Sequence, residues 1–247
     1  MELGRVDICV EVSMLSSCLA MPRDGHLLQL FRIFSYLKKF HNTEMIFDPS
    51  LPAIDHTQFP KQDWCQTVYG NQLEALPPNM PETRGKGFIV SAYVDSNHAG
   101  DTVTRRSRTG FFVYCNCALV YWMSKKQTSI ETSSFGSEFC AMKLCTEYIR
   151  GLKFKLRMTG IACNTPAYIY GDNHSVLANT TMPHSMLKKK SNSIAYHFVR
   201  EGSARDEWRT TYINTHENRS DILTKPLSFG AKRTKFCGML LHHLVPD

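Results

Sequence analysis

Residues 88–124 read FIVSAYVDSNHAGDTVTRRSRTGFFVYCNCALVYWMS. Three β-rich runs lie in this stretch: FIVSAYVD at 88–95, TGFFVYC at Thr109–Cys115 and LVYWMS at Leu119–Ser124. The first is mostly apolar, which predicts a central strand covered on both faces. Only Asn116–Ala118 separates the second run from the third, so these two predict a hairpin. The turn over 96–108 then folds the first strand back against the second.

Downstream the period changes. Ser133 or Ser134 can cap a helix by accepting a backbone N–H bond. Phe135, Phe139, Met142, Cys145, Ile149, Leu152 and Leu156 then recur every three or four residues. That is one face of a long helix, stopping near Gly160. AYIY at Ala167–Tyr170 reads as a fourth strand, ending at Gly171–Asp172, with a short helix from Asn173. Ile194–Glu201 is amphipathic, and Gly202 is expected to end its helix. Arg209–Asn214 reads as a fifth strand, and His216–Leu223 opens a closing helix. The order β-β-β-α-β-α-α-β-α predicts an α/β fold, a mixed five-stranded sheet flanked by helices.

Upstream, residues 1–48 read as mostly helical. Leu28, Leu30, Phe31, Ile33, Phe34 and Leu37 form a stripe that ends at Lys38–Lys39. Part of that apolar face is expected to lie uncovered. Residues 49–86 hold Pro49, Pro52, Pro60, Pro77, Pro78 and Pro81, most of the chain's 11 prolines. Proline fixes φ and removes a donor, so an irregular connector with one short hairpin is expected. A boundary near Gly85 follows. The division is then 1–48, 49–86, a main domain at 87–230, and a C-terminal tail at 231–247.

The 247 residues are 43% hydrophobic and 21% charged, enough apolar matter for a sizeable core. The net charge of +7 suits a polyanionic partner. Nine cysteines show no disulfide framework. The Cys115–Cys117 pair lacks the spacing and the second pair of a zinc site, so reduced thiols are expected. Glu2, Arg5, Asp7 and Glu11 interrupt any apolar leader. No apolar run is long enough to span a membrane. An intracellular protein, cytoplasmic or nuclear, with no membrane partner is the expectation.

Four carboxylates fall at the ends of these elements. Asp95 ends the first strand, Glu138 lies in the first turns of the long helix, Asp172 ends the fourth strand, and Asp221 starts the closing helix. If the first and fourth strands are parallel neighbours, Asp95 and Asp172 meet at one sheet edge and Glu138 leans over them. Such carboxylates repel unless cations sit among them, and oxygen donors suit Mg²⁺ or Mn²⁺. Two such ions can serve an in-line attack on a phosphodiester. On position alone, four ordinary surface carboxylates remain an equal reading.

The blocks AYVDSNHAGD (Ala92–Asp101), RRSRTGF (Arg105–Phe111), YWMSKKQTSIETSSFGSEFCA (Tyr121–Ala141), IYGDNHSVL (Ile169–Leu177), HFVREG (His197–Gly202) and YINTHENRSDILTKPL (Tyr212–Leu227) carry a resemblance. In order and spacing they resemble the ribonuclease H domain of copia-type LTR retrotransposon Pol polyproteins. The resemblance implies a ribonuclease H-like fold, with Asp95, Glu138, Asp172 and Asp221 as catalytic and metal-binding residues for two Mg²⁺ or Mn²⁺ ions. Glu138 is preferred to Glu131 because the family's glutamate precedes an alanine by three positions, as Glu138 precedes Ala141. Where the family often has a second glutamate two residues earlier, this chain has Gly136.

The resemblance also implies an RNA/DNA hybrid substrate and no small-molecule cofactor. Arg105, Arg106 and Arg108 on the turn after the first strand, Lys125 and Lys126 before the helix, Asn173, and the triplet Lys188, Lys189 and Lys190 are the candidate nucleic-acid contacts. More weakly, GRVDICVEVSMLSS, PRDGH and YLKKF resemble the end of a copia-type reverse transcriptase. The chain holds no adjacent Asp pair, so no polymerase activity is expected. A fragment that starts at an internal methionine, with the rest of a reverse transcriptase as its partner, is the expectation. Two other readings stand beside the nuclease. One is a catalytically silent nucleic-acid-binding remnant. The other, a transposase or integrase, is disfavoured because Glu138 precedes Asp172.

Overall fold

The computed structural model describes residues 4–187 and 192–242. A 3-10 turn at Val6–Ile8 leads into α1 (Cys9–Ser16), followed by α2 (Asp24–Lys39) and a two-residue strand β1 (Glu44–Met45). Then come β2 (Val90–Ser96), β3 (Arg108–Cys115), β4 (Ala118–Lys126) and α3 (Ser134–Met158). The chain continues through β5 (Ala167–Gly171), α4 (His174–Thr181), α5 (Ser193–Ala204) and β6 (Trp208–Tyr212). It closes with α6 (Asp221–Thr224), α7 (Ala231–Leu240) and β7 (Leu241–His242).

The main sheet runs β4-β3-β2-β5-β6. β2 pairs antiparallel with β3, and β3 with β4; β2 pairs parallel with β5, and β5 with β6. This is the ribonuclease H-like mixed sheet, with helices on both faces. The apolar alternation of β2 sets it at the centre: Val90, Ala92 and Val94 pack with Phe111, Phe139, Met142 and Ile149 beneath α3. The opposite face, with Phe112 and Tyr114, is covered by Val6, Cys9, Ile222, Leu223, Cys237 and Leu240.

Ser133, not Ser134, caps α3; its hydroxyl accepts from the Gly136 amide. Two boundaries differ from expectation for packing reasons. Gly202 does not end its helix but lies inside α5, where a Cβ would come within 2.0 Å of the Trp208 ring. The closing helix shrinks to the four residues of α6, because Asn214–Asn218 form a turn held by Asn218 N to Asn214 O.

Residues 231–242 are not a tail. Phe236, Cys237, Leu240 and Leu241 are buried, and β7 pairs antiparallel with β1. A tail has no apolar stripe to bury; here the second core layer needs one, and the chain from both ends supplies it. Nor does the proline-rich segment form a hairpin among the described residues. It is irregular apart from a 3-10 turn at His56–Gln58, yet it is docked. Phe59 is 1% exposed and meets Tyr168 and Tyr170 edge-on at 4.9 and 5.2 Å. Burial of one such ring contributes roughly 1.5–3 kcal/mol. Glu74 binds Arg157 at 2.7 Å and Lys153 at 3.1 Å. By contrast α2 buries no residue, and Leu28, Phe31 and Phe34 stand exposed, as the uncovered stripe predicts. No helix among the described residues is long and apolar enough to cross a membrane.

Candidate active site

The register of β2 and β5 aligns Tyr93 with Tyr170, and those two rings stack at 4.8 Å. Asp95 lies two residues further along β2, where side chains two apart share a face, and Asp172 follows directly after the end of β5. The two carboxylates meet at this end of the sheet. Glu138 arrives from the start of α3. One oxygen from each of Asp95, Glu138 and Asp172 lies within 4.8 Å of the others. Among the described residues this is the one group of three or more potential metal-ligating side chains. Glu131 lies outside this group and accepts from the Ser129 hydroxyl at 3.3 Å.

Electrostatics match this geometry. Burial, then the charges of Asp221 and Asp172, raise the Asp95 carboxyl to about 7. Burial, then Asp95 and Asp172, push Glu138 well above the usual carboxylate range. Two unit charges ~4 Å apart repel by roughly 4 kcal/mol at an effective dielectric near 20. A divalent cation relieves that repulsion, and an all-oxygen donor set suits a hard ion. The residues present therefore fit Mg²⁺ or Mn²⁺.

Asp221 is fully buried beside the triad but outside the 4.8 Å group. Lys225 Nζ pairs with its Oδ1 at 2.7 Å, and Lys232 Nζ binds its Oδ2. The expected fourth ligand is thus adjacent, with its carboxylate held by two ammonium groups.

Several positioning contacts were invisible to the motif reading. The Thr224 hydroxyl donates to Asp95 Oδ2. Asn97 Nδ2 donates to the Thr224 carbonyl at 2.8 Å, and Asn218 Nδ2 to the Val94 carbonyl at 3.0 Å. Gln127 Nε2 donates to Thr109 Oγ1 at 3.0 Å and to the Ser137 carbonyl at 2.8 Å. All four residues lie within the quoted blocks. The signal was present, but a polar residue in a motif does not announce which backbone group it binds.

The chain is 29% identical over 224 residues to the retrovirus-related Pol polyprotein from transposon RE2 of Arabidopsis thaliana, covering 91% of this chain. Against the corresponding polyprotein from transposon TNT 1-94 of Nicotiana tabacum it is 29% identical over 143 residues, 57% of this chain. The chain is a homologue of retrovirus-related Pol polyproteins. It spans only 13% and 10% of the length of these two relatives. Among solved structures, RNase H1 from the halophilic archaeon Halobacterium salinarum aligns with a TM-score of 0.43 and 16% identity, covering 55% of this chain and 93% of that one. No family model matches the chain.

In this Pol-related chain the candidate nucleic-acid contacts divide. Arg105 is exposed on the 97–107 turn, with φ +56°. Lys125 is exposed at the end of β4, two strands from Asp95 at the same sheet edge. Arg106 is half-buried on that turn. Lys126 is half-buried and paired with Asp101 at 2.9 Å. Arg108 is buried, binding the Ser13 hydroxyl, and faces the protein. Asn173 caps α4, its Oδ1 accepting from the Val176 amide at 3.1 Å, so that oxygen is engaged in the fold. Lys188, Lys189 and Lys190 lie outside the described residues.

Proposed function

We propose that this chain is a ribonuclease H, a metal-dependent endonuclease that cuts the RNA strand of an RNA/DNA hybrid. The observation that carries the reading is the meeting of Asp95, Glu138 and Asp172, from two strands and a helix, at one end of the sheet. Homology to Pol polyproteins supports it. Asp95, Glu138 and Asp172 would hold Mg²⁺ or Mn²⁺, with Asp221 as a further ligand for a second ion. Bound there, such ions supply Lewis-acid activation of a water and of the leaving oxygen.

The residues of the chain do the rest. Thr224 and Gln127 fix the cluster from two sides. Arg105 and Lys125 present cations to backbone phosphates beside it, with Arg106 and Lys126 behind them. Asn173 retains an amide nitrogen close to Asp172 for a 2′-hydroxyl. Recognition by phosphate and 2′-hydroxyl, through shape, makes the substrate a class rather than a sequence.

Residues 1–48 are read as the C-terminal part of a reverse transcriptase, tethered through 49–86. An alignment over 91% of the chain, more than the sheet domain alone, supports this. The test is cleavage of an end-labelled RNA/DNA hybrid in Mg²⁺ or Mn²⁺ by the purified chain and by Asp95→Asn. Cleavage of the RNA strand that Asp95→Asn abolishes is expected. Folded protein that binds the hybrid without cutting it would select the silent nucleic-acid-binding remnant instead.

A further inference from the structure

The fourth carboxylate has a property that the nuclease reading does not require. Asp221 is fully buried, and both of its oxygens face ammonium groups that come from two different elements. Lys225 follows α6 directly, while Lys232 enters from the first turn of α7, eleven residues away. Lys225 is exposed and Lys232 half-buried, with side chains 47% and 30% exposed, so each has a route to solvent. Counting the ionised forms, four carboxylates face two ammonium groups. Two negative charges remain, and one divalent cation balances them. A second divalent ion would add charge that nothing offsets unless the lysines leave.

We propose that Lys225 and Lys232 form a built-in cation lock on Asp221, so that the resting site takes one divalent ion, on Asp95, Glu138 and Asp172. Entry of a second ion requires displacing both ammonium groups from Asp221. The lock rests on the metal-site reading above and deepens it: it sets how many ions the free protein holds. The lysines act through Asp221 and are positioning residues.

The test is a titration of the full metal-free chain with Mn²⁺, read by calorimetry and by the electron paramagnetic resonance signal of free Mn²⁺. Wild-type protein is expected to take up one equivalent. The double variant Lys225→Met/Lys232→Met is expected to take up two, its second affinity strengthened on the order of tenfold or more. Lys232→Gln alone, on the solvent side of α7, is expected to give a smaller gain in the same direction and serves if the double variant does not fold. Two equivalents of similar affinity in wild-type protein would overturn the lock. So would a second affinity in the folded variants equal to that of wild type. Asp95→Asn separates the two levels: Mn²⁺ uptake unchanged by that substitution would remove the metal site itself, whatever the lysines do.

Discussion

Gln127 Nε2 donates to the Ser137 carbonyl at 2.8 Å, one residue before Glu138. The same nitrogen reaches Thr109 Oγ1 at 3.0 Å on β3. A single buried amide therefore ties the first turns of α3 to the strand that lies beside β2. Gln127→Ala leaves a buried carbonyl and a buried hydroxyl without this donor. The expected cost is roughly 1–3 kcal/mol of stability. The variant should also bind Mn²⁺ more weakly, because Glu138 loses its anchor. Urea unfolding with a parallel Mn²⁺ titration checks both. Glu131→Gln is the contrast: it should leave Mn²⁺ binding intact, since Glu131 is outside the cluster.

Gly110 lies directly across the ladder from Asp95. A Cβ there would sit 2.7 Å from Leu223 Cβ and 2.7 Å from Thr224 Cγ2. The absence of a side chain lets α6 approach the sheet closely enough for Thr224 to reach Asp95. Gly110→Ala should push α6 outward and destabilise by about 1–3 kcal/mol through overpacking. It should also break the Thr224 contact, so cleavage should fall further than Thr224→Val alone lowers it. Equal losses in the two variants, from a single-turnover assay, would argue against this role for Gly110.

The sheet and its ends were legible because their signals are local. The mostly apolar run at 88–95, the short link at Asn116–Ala118 and the stripe from Phe135 to Leu156 each depend on neighbours in sequence. Strand ends and a helix start only suggested the carboxylate triad, and the resembling blocks were needed to single out Asp95, Glu138 and Asp172. The second core layer was not. Cys237 and Leu240 pack with Val6 and Cys9, more than two hundred residues away, and no periodicity within α7 reveals that partner. Gly202 was misread for the same reason: its neighbour is the Trp208 ring, not the next turn of its helix. Lys225 is an i,i+4 neighbour of Asp221, but the pairing of Asp221 with Lys232 required knowing that α7 returns beside it.

Arg105 and Lys125 are exposed, on the turn after β2 and at the end of β4, while Arg108 is buried against Ser13. Arg105→Gln and Lys125→Gln should each weaken hybrid binding and lower the salt slope by about 1, with little change in stability. Arg108→Gln should instead lower the melting temperature, because it removes a buried cation from its hydroxyl partners. Hybrid binding measured across a salt series, beside thermal melts, distinguishes these roles. An unchanged slope in both exposed-site variants would place the substrate elsewhere.

The buried carboxylates also set a pH dependence for the metal-free protein. Burial and the charges of Asp221 and Asp172 raise the Asp95 carboxyl from 3.8 to about 7, and Glu138 moves in the same direction. Between those values the folded chain keeps a proton that the unfolded chain has released. Stability therefore falls as pH rises through this window and levels off above it. The melting temperature without metal should be higher near pH ~5 than near pH ~8. Asp95→Asn should flatten much of that slope, because its amide does not ionise. Mn²⁺ should act in the opposite sense: it needs ionised ligands, so it should stabilise strongly near pH ~8 and weakly near pH ~5. Thermal scans at both pH values, with and without Mn²⁺, test the two signs together. A metal-free melting temperature that rises with pH across the window would mean that Asp95 and Glu138 are not the closely packed, mutually repelling pair seen here.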